Sequence, residues 1–320
     1  MPAMRVLAAD IGGTNSRLAL FGVDGCIVQE RARNDEFDGF TPILEAFARR
    51  HGAPDAACLA VAGRVDDGVV WMPNRGWTLH DDALAAVVGA PLCMINDFHA
   101  QALAVAQLSA SDLVPLDDLA PTAGAARVVL GAGTGLGEAY LIPEGDDWRV
   151  VPGEGAHGRF GPRDEREIGF LRHLMKAFPD HVSVERVASG PGLVRADDYL
   201  RGAAPRHPRM VDEVPGAIII EEGLAGRCPH AAGALEIFLD TLADEAATVA
   251  IKCNAGMVYL SGGMAPRLLP RMVDRFRAAF CNKGRYRSWL ETVPVRLVVH
   301  PDPGIRGAEL AARALLAQTR

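Results

Sequence analysis

Apolar residues along this chain come in short runs that end on glycine-rich turns, and helix-period stretches separate the runs. Residues 5–9 form the first run, which ends at Asp10-Ile11-Gly12-Gly13-Thr14. Residues 17–21 resume it, and 27–31 add a third, weaker strand. Two runs joined by such a turn predict a β-hairpin. Thr41 followed by Pro42 predicts a helix cap and first turn, with the helix reaching about residue 51. Residues 59–62 and 92–96 read as short buried strands, and 98–107 as a helix. Asp, Ser, Pro and Gly crowd residues 109–124, the best candidate for a hinge or linker.

A second strand–turn–strand follows, with runs at 127–130 and 137–142 around Gly131-Ala132-Gly133-Thr134-Gly135. Gly13-Thr14 and Gly133-Thr134 lie 120 residues apart, each in a predicted hairpin turn. Three identities in the thirteen aligned positions could arise by chance, but the shared local pattern makes an ancient two-lobe duplication a reasonable hypothesis. Helix patterns then cover about 165–177, 192–201, 217–225 and 231–253. A strand at 258–261, a helix at 266–280, a strand at 295–299 and a helix at 305–317 close the chain. Strands mixed with helices predict an α/β class.

Composition narrows the options. The 320 residues predict two domains or two lobes, and 49% hydrophobic with 23% charged residues is ordinary for a globular protein. The net charge of −7 disfavours phosphate-led nucleic-acid binding. Six cysteines at 26, 58, 93, 228, 253 and 281 form no CxxC pair, which predicts a reducing, cytoplasmic setting. Cys58 and Cys93 lie in apolar runs and read as buried small hydrophobes. Asp10 interrupts the start before a signal-peptide core can form, and the run 83–95 is too short and broken to span a membrane.

Six places carry candidate chemistry. In Asp10-Ile11-Gly12-Gly13-Thr14-Asn15, two glycines remove side-chain bulk, so backbone N–H groups could meet a phosphate. An acid beside phosphates makes sense if Mg²⁺ lies between them. A plain hairpin turn has the same sequence. Gly131–Gly137 is a second such turn with a central Thr134, and two such turns could grip a triphosphate. Gly262-Gly263 would let an adenine ring approach the backbone, although it also reads as an ordinary strand-to-helix turn. In Ile95-Asn96-Asp97-Phe98, Asp97 suits a helix N-cap and equally a general base at a strand's carboxyl end. Glu154 and His157, in a Gly/Pro frame, suit the reading of vicinal hydroxyls or a solvated loop. Glu185 is a weaker case that could simply pair with Arg186 or Lys176.

Taken in order, DIGGTN (10–15), INDF (95–98), GAGTGLG (131–137), PGEGAH (152–157), VERVASGPGL (184–193), LSGGMAPR (260–267) and HPDPGIRG (300–307) resemble the bacterial glucokinase family. That family belongs to the sugar kinase, Hsp70 and actin superfamily. The resemblance implies a two-lobed, ribonuclease H-like (actin-like ATPase) α/β fold with ATP and sugar in the cleft between lobes. Residues 1–108 with 300–320 would form the small domain and 109–299 the large one. It implies transfer of the γ-phosphoryl of MgATP to the 6-hydroxyl of glucose, the first step of glycolysis, by a homodimer. Asp97 would be the general base, and Asn96, Glu154, His157 and Glu185 would read the sugar alongside it. Asp10 would be the Mg²⁺-linked acid. Ala9, Ile11, Gly12, Gly13, Thr14, Gly133, Thr134 and Gly135 would line the nucleotide's phosphates, with Gly262 and Gly263 as the adenosine shelf.

Ala156, Gly158 and Arg159 depart from the expected sugar-loop pattern, and Arg75-Gly76 within the loop 72–77 has no sequence-level explanation. Sugar preference therefore stays open. A kinase for another hexose, a sugar-binding sensor without turnover, and an ATPase acting on water are the alternatives. Polyphosphate remains possible as donor. Without clustered cysteines or a helix-turn-helix before Met4, the zinc-loop group and a DNA-binding repressor are disfavoured.

Overall fold

The computed structural model describes residues 4–72 and 75–319. The described chain divides into two units. One is drawn from Met1–Ser109, Val150–Pro152 and His300–Arg320, the other from Ala110–Arg149 and Gly153–Val299.

The first unit is built on β1 (Val6–Ile11), β2 (Asn15–Gly22), β3 (Gly25–Arg33) and β4 (Ala56–Val61). A three-stranded side sheet follows, of β5 (Val65–Asp66), β6 (Val69–Met72) and β7 (Trp77–His80). With β8 (Leu92–Asn96) the main sheet runs β3-β2-β1-β4-β8. β1 is antiparallel to β2 and parallel to β4, and β4 is parallel to β8. β4 is buried along its whole length, which explains its unbroken apolar run. Side chains alternate across the sheet. Leu7, Ala9, Ile11, Leu59 and Val61 meet Leu44 and Phe47 of α1 (Thr41–His51). On the other face Val6, Ala8, Cys58 and Ala60 meet Ile305, Ala308 and Ala312 of the C-terminal helix Pro303–Gln318.

The six-stranded sheet is built from β9 (Leu113–Pro115), β10 (Arg127–Ala132), β11 (Leu136–Glu144), β12 (Asp147–Gly153), β13 (Met257–Ser261) and β14 (Val295–Val298). Their order is β12-β11-β10-β13-β14-β9. Again the central strand is antiparallel to its hairpin partner and parallel to the next strand in. The first five positions of this sheet repeat the order of the first unit, which gives the proposed duplication a topological basis. Ile11 faces Ser16 across the first turn, whereas Ala132 faces Leu136 across the second. The second turn is thus one residue tighter.

Several sequence expectations need correction. The stretch 109–124 is not all linker, because β9 pairs antiparallel with β14 at the sheet edge. Thr41 does not cap α1; it is the first helical residue, and Phe40 precedes it without a side-chain bond. The side sheet β5–β7 and helix α2 (Asp81–Val88) had no predicted counterpart. Gly89, in the left-handed region at φ 67°, ends α2 and splits the apolar run 83–95 into helix and strand. Cys58 is buried and Cys93 half-buried, in register on β4 and β8, and both are free thiols.

Candidate active site

The turn after β1 is held from a distance in sequence. Asn34, fully buried at the end of β3, donates from Nδ2 to the Gly12 carbonyl (2.7 Å). Its backbone N–H donates to Thr14 (3.0 Å), and its Oδ1 accepts from the Ser16 hydroxyl (2.8 Å). Gly12 N–H donates to the Asn15 carbonyl (3.0 Å), while open space surrounds the Gly13 Cα. Sequence reasoning missed Asn34 altogether. The same contact accounts for Arg75, whose guanidinium donates to the Asn34 carbonyl and lies 5.1 Å from the Trp77 ring centroid. Pro73 and Asn74 of that loop lie outside the described residues.

Ala9 and Ile11 can contribute to a nucleotide site only through their backbone. Both are fully buried in the sheet core and have only backbone to offer. Asp10, between them, is half-buried opposite Arg17. Burial pushes its carboxyl above the usual range; Arg17, 3.9 Å away, opposes that, and the Asp302 charge adds to it. Arg17 is itself bonded to Asp302. Two carboxylates thus share one guanidinium, and a hydrated cation would relieve the surplus charge. Among the described residues no group of three acidic, His or Cys side chains could cage a metal. The donor set fits Mg²⁺ held by one carboxylate, waters and phosphates.

At the end of β8 the two candidates have separate duties. Asn96, not Asp97, caps α3 (Asp97–Val105). Asn96 Oδ1 accepts from Phe98 N (2.8 Å) and His99 N (3.1 Å), and its Nδ2 donates to the Gly63 carbonyl (3.1 Å). One amide hydrogen of Asn96 is left over. Asp97 occupies the first helical position, its Oδ1 within 2.9 Å of Phe98 N. The positive end of the helix favours its negative charge.

In the second unit the tight turn is Gly133-Thr134-Gly135, closed by Gly133 N donating to the Gly135 carbonyl (2.8 Å). Gly190 N, at the start of α5 (Gly190–Arg201), donates to the Gly133 carbonyl (2.8 Å). Gly262 follows β13 at φ 84°, and a Cβ there would lie 2.6 Å from the Ala132 carbonyl oxygen. Only glycine fits that approach, which brings the Gly262-Gly263 corner against the turn. Glu185 pairs with neither Arg186 nor Lys176 among the ion pairs of the described residues. Its Oε2 accepts from Leu136 N (3.1 Å) and packs against Gly135, so one of its oxygens belongs to the turn.

Glu154 precedes a single 3₁₀ turn, Gly155–His157. This places Glu154 Oε2 3.6 Å from His157 Nε2, and both side chains are 59% exposed. His181 bonds the His157 carbonyl through Nε2 (2.7 Å). The backbone of Arg159 bridges to Ser183, while Gly155 and Arg159 help line a cavity of about 220 Å³. A carboxylate and an imidazole on a braced turn are suited to vicinal hydroxyls.

Comparison with known proteins places this arrangement. The family model for glucokinase matches residues 7–315. A glucokinase of Trichormus variabilis is 34% identical over 339 residues, covering 97% of this chain and 99% of the relative. The crystal structure of a glucokinase from an Antarctic psychrotroph superposes with a TM-score of 0.78 at 29% identity, covering 97% of this chain and 99% of that one. The glucokinase of Balamuthia mandrillaris, solved in complex with glucose, gives 0.86 at 23% identity over 97% of this chain and 94% of its own, a likeness of fold. A sugar-kinase, actin-like fold, the ordered motifs and matches along nearly the whole length agree: this chain is a member of the glucokinase family.

Proposed function

We propose that this chain phosphorylates glucose with ATP, moving the γ-phosphoryl group to the sugar's 6-hydroxyl and releasing ADP and glucose 6-phosphate. The observation that supports the assignment of roles is the division of labour at the start of α3. Asn96 supplies the cap, and Asp97 stands at the first helical position, at the positive helix end. Asp97 accepts the proton of the 6-hydroxyl as the oxygen attacks. Glucose is read by Glu154 and His157, by the second oxygen of Glu185 and by the remaining amide hydrogen of Asn96. Each such partner matters, because an unpaired buried polar group costs about 1–3 kcal/mol.

Backbone N–H groups of Gly13 and Thr14, and of Thr134 and Gly135, hold the phosphates, while the Gly12 and Gly133 N–H groups close the two turns. Gly262 and Gly263 leave room for the adenosine. Asp10 holds Mg²⁺, which when bound supplies charge neutralisation at the phosphates. A cytoplasmic homodimer belongs to the same proposal and rests on family membership.

ADP release is the test, measured with MgATP and glucose, mannose, fructose, N-acetylglucosamine or no sugar, and again with polyphosphate as donor. Release that depends on ATP and is fastest with glucose supports the reading. Preference for another hexose or donor would reassign the substrate. Glucose binding without ADP release would make the protein a sensor.

A further inference from the structure

Two acidic side chains meet in the interior of the second unit, beneath the loop that carries Glu154 and His157. Glu138 lies on β11 and is fully buried. Glu245 lies on α7 (Pro229–Cys253) and is 6% exposed. Written as a carboxylate, Glu138 has no hydrogen-bond donor for either oxygen. A proton on Glu138 removes the problem, since Glu138 then donates to the facing Glu245 carboxylate. Two unpaired buried charges are far costlier than one shared proton. The pair touches the loop directly. A Cβ at Gly155 would overlap Glu138 Oε2, so the loop backbone rests on this carboxyl.

We propose that Glu138 and Glu245 hold one proton between them and that this pair positions the loop 153–158 for glucose, so that losing the proton weakens sugar binding. The inference rests on the reading of Glu154 and His157 as sugar contacts. Glu138 is a positioning residue; it reads no sugar itself. Ionisation would set two carboxylates against each other and add a charge facing Glu154. The loop is the movable partner, because β11 and α7 are fixed in the core.

The surrounding charges come from every packed element. Lys252 on α7 favours ionisation of both acids, and Lys283 favours that of Glu245. Asp244 opposes ionisation of Glu245, and Glu154 opposes that of Glu138. Tyr140 and Cys253 lie near by, and burial raises both above their ordinary values, so they stay neutral. Burial dominates, and it pushes Glu138 up to about 8. Glu245 lines the 220 Å³ cavity that also reaches Gly155 and Gly158, which gives solvent a route to the proton.

The test is glucose affinity by calorimetry, without nucleotide, between about pH 6 and pH 9.5. For the wild type, affinity weakens by up to about tenfold per pH unit above the transition, as for any one-proton linkage. Glu138→Gln keeps a donor toward Glu245 that does not titrate, so its affinity stays within about twofold across the range. Glu245→Gln leaves Glu138 to titrate but removes the facing charge that raises it, so its transition moves to lower pH, and this shift stands in if the first variant does not fold. Parallel profiles for wild type and both variants would overturn the inference. Glu154→Gln separates the two readings. Unchanged glucose affinity in that variant at pH 7 would overturn the sugar-contact assignment, and this inference with it.

Discussion

Gly307 packs against Ala100 so closely that a Cβ on Gly307 would overlap the Ala100 carbonyl oxygen. Gly304, one turn earlier on the same C-terminal helix, faces the carboxyl of Asp10, where a Cβ would lie 3.0 Å from Cγ. One helix face therefore braces both α3, which begins at Asp97, and the acid of the first turn. This explains glycines in the motif 300–307 as a matter of space. Gly307→Ala should push the two helices apart and cost on the order of 1–3 kcal/mol, as overpacking does. Thermal unfolding should show the loss, and kcat should fall with it because α3 carries the proposed base.

Asn34 should be the hidden support of the first glycine turn, the proposed phosphate site. Asn34→Ala would leave the Gly12 carbonyl and the Ser16 hydroxyl without their partner. The expected cost is about 1–3 kcal/mol. Kinetically, KM for ATP should rise more than KM for glucose. An equal rise in both would place Asn34 in general stability instead.

Stability should fall as pH rises through the neutral range. Glu138 and Glu245 are both raised above the ordinary 4.5, so the folded chain keeps a proton that the unfolded chain releases. The Glu138 contribution is complete below about pH 4.5 and is lost on passing about 8, and Glu245 adds one of the same sign. One retained proton gives a slope of up to about 1.4 kcal/mol per pH unit. Asp10, also raised, adds a term of the same sign. Denaturant unfolding of wild type and Glu138→Gln at pH 5 and pH 8 should show the steeper decline in the wild type.

What the sequence disclosed was local. The two glycine turns were legible because apolar runs flank a segment with no side-chain bulk, and both turns do join antiparallel strands. Asn34 was not legible, since nothing around it marks a residue that bonds a turn 22 positions earlier. Glu138 was not legible either, since one acid within an apolar strand carries no mark of its full burial. Asn96 and Asp97 each suit a cap, and only the length of β8 decides which one takes it. The three-residue strand β9 hid inside a Pro- and Asp-rich stretch because its pairing with β14 is entirely non-local.

Capping and catalysis at that junction should separate on substitution. Asn96→Ala removes two accepted backbone bonds and should lower stability by about 1 kcal/mol. Asp97→Asn should leave unfolding nearly unchanged while abolishing most turnover. A larger stability loss for the Asp97 variant would reverse the two roles.

The most direct measurement is glucose-dependent ADP release by wild type, Asp97→Asn and Asp97→Ala under saturating MgATP, with glucose affinity measured alongside. Loss of a general base predicts that kcat falls roughly 10²–10⁴-fold in both variants while folding is kept. Turnover within a few-fold of wild type in either variant would contradict the assignment of Asp97 as the base.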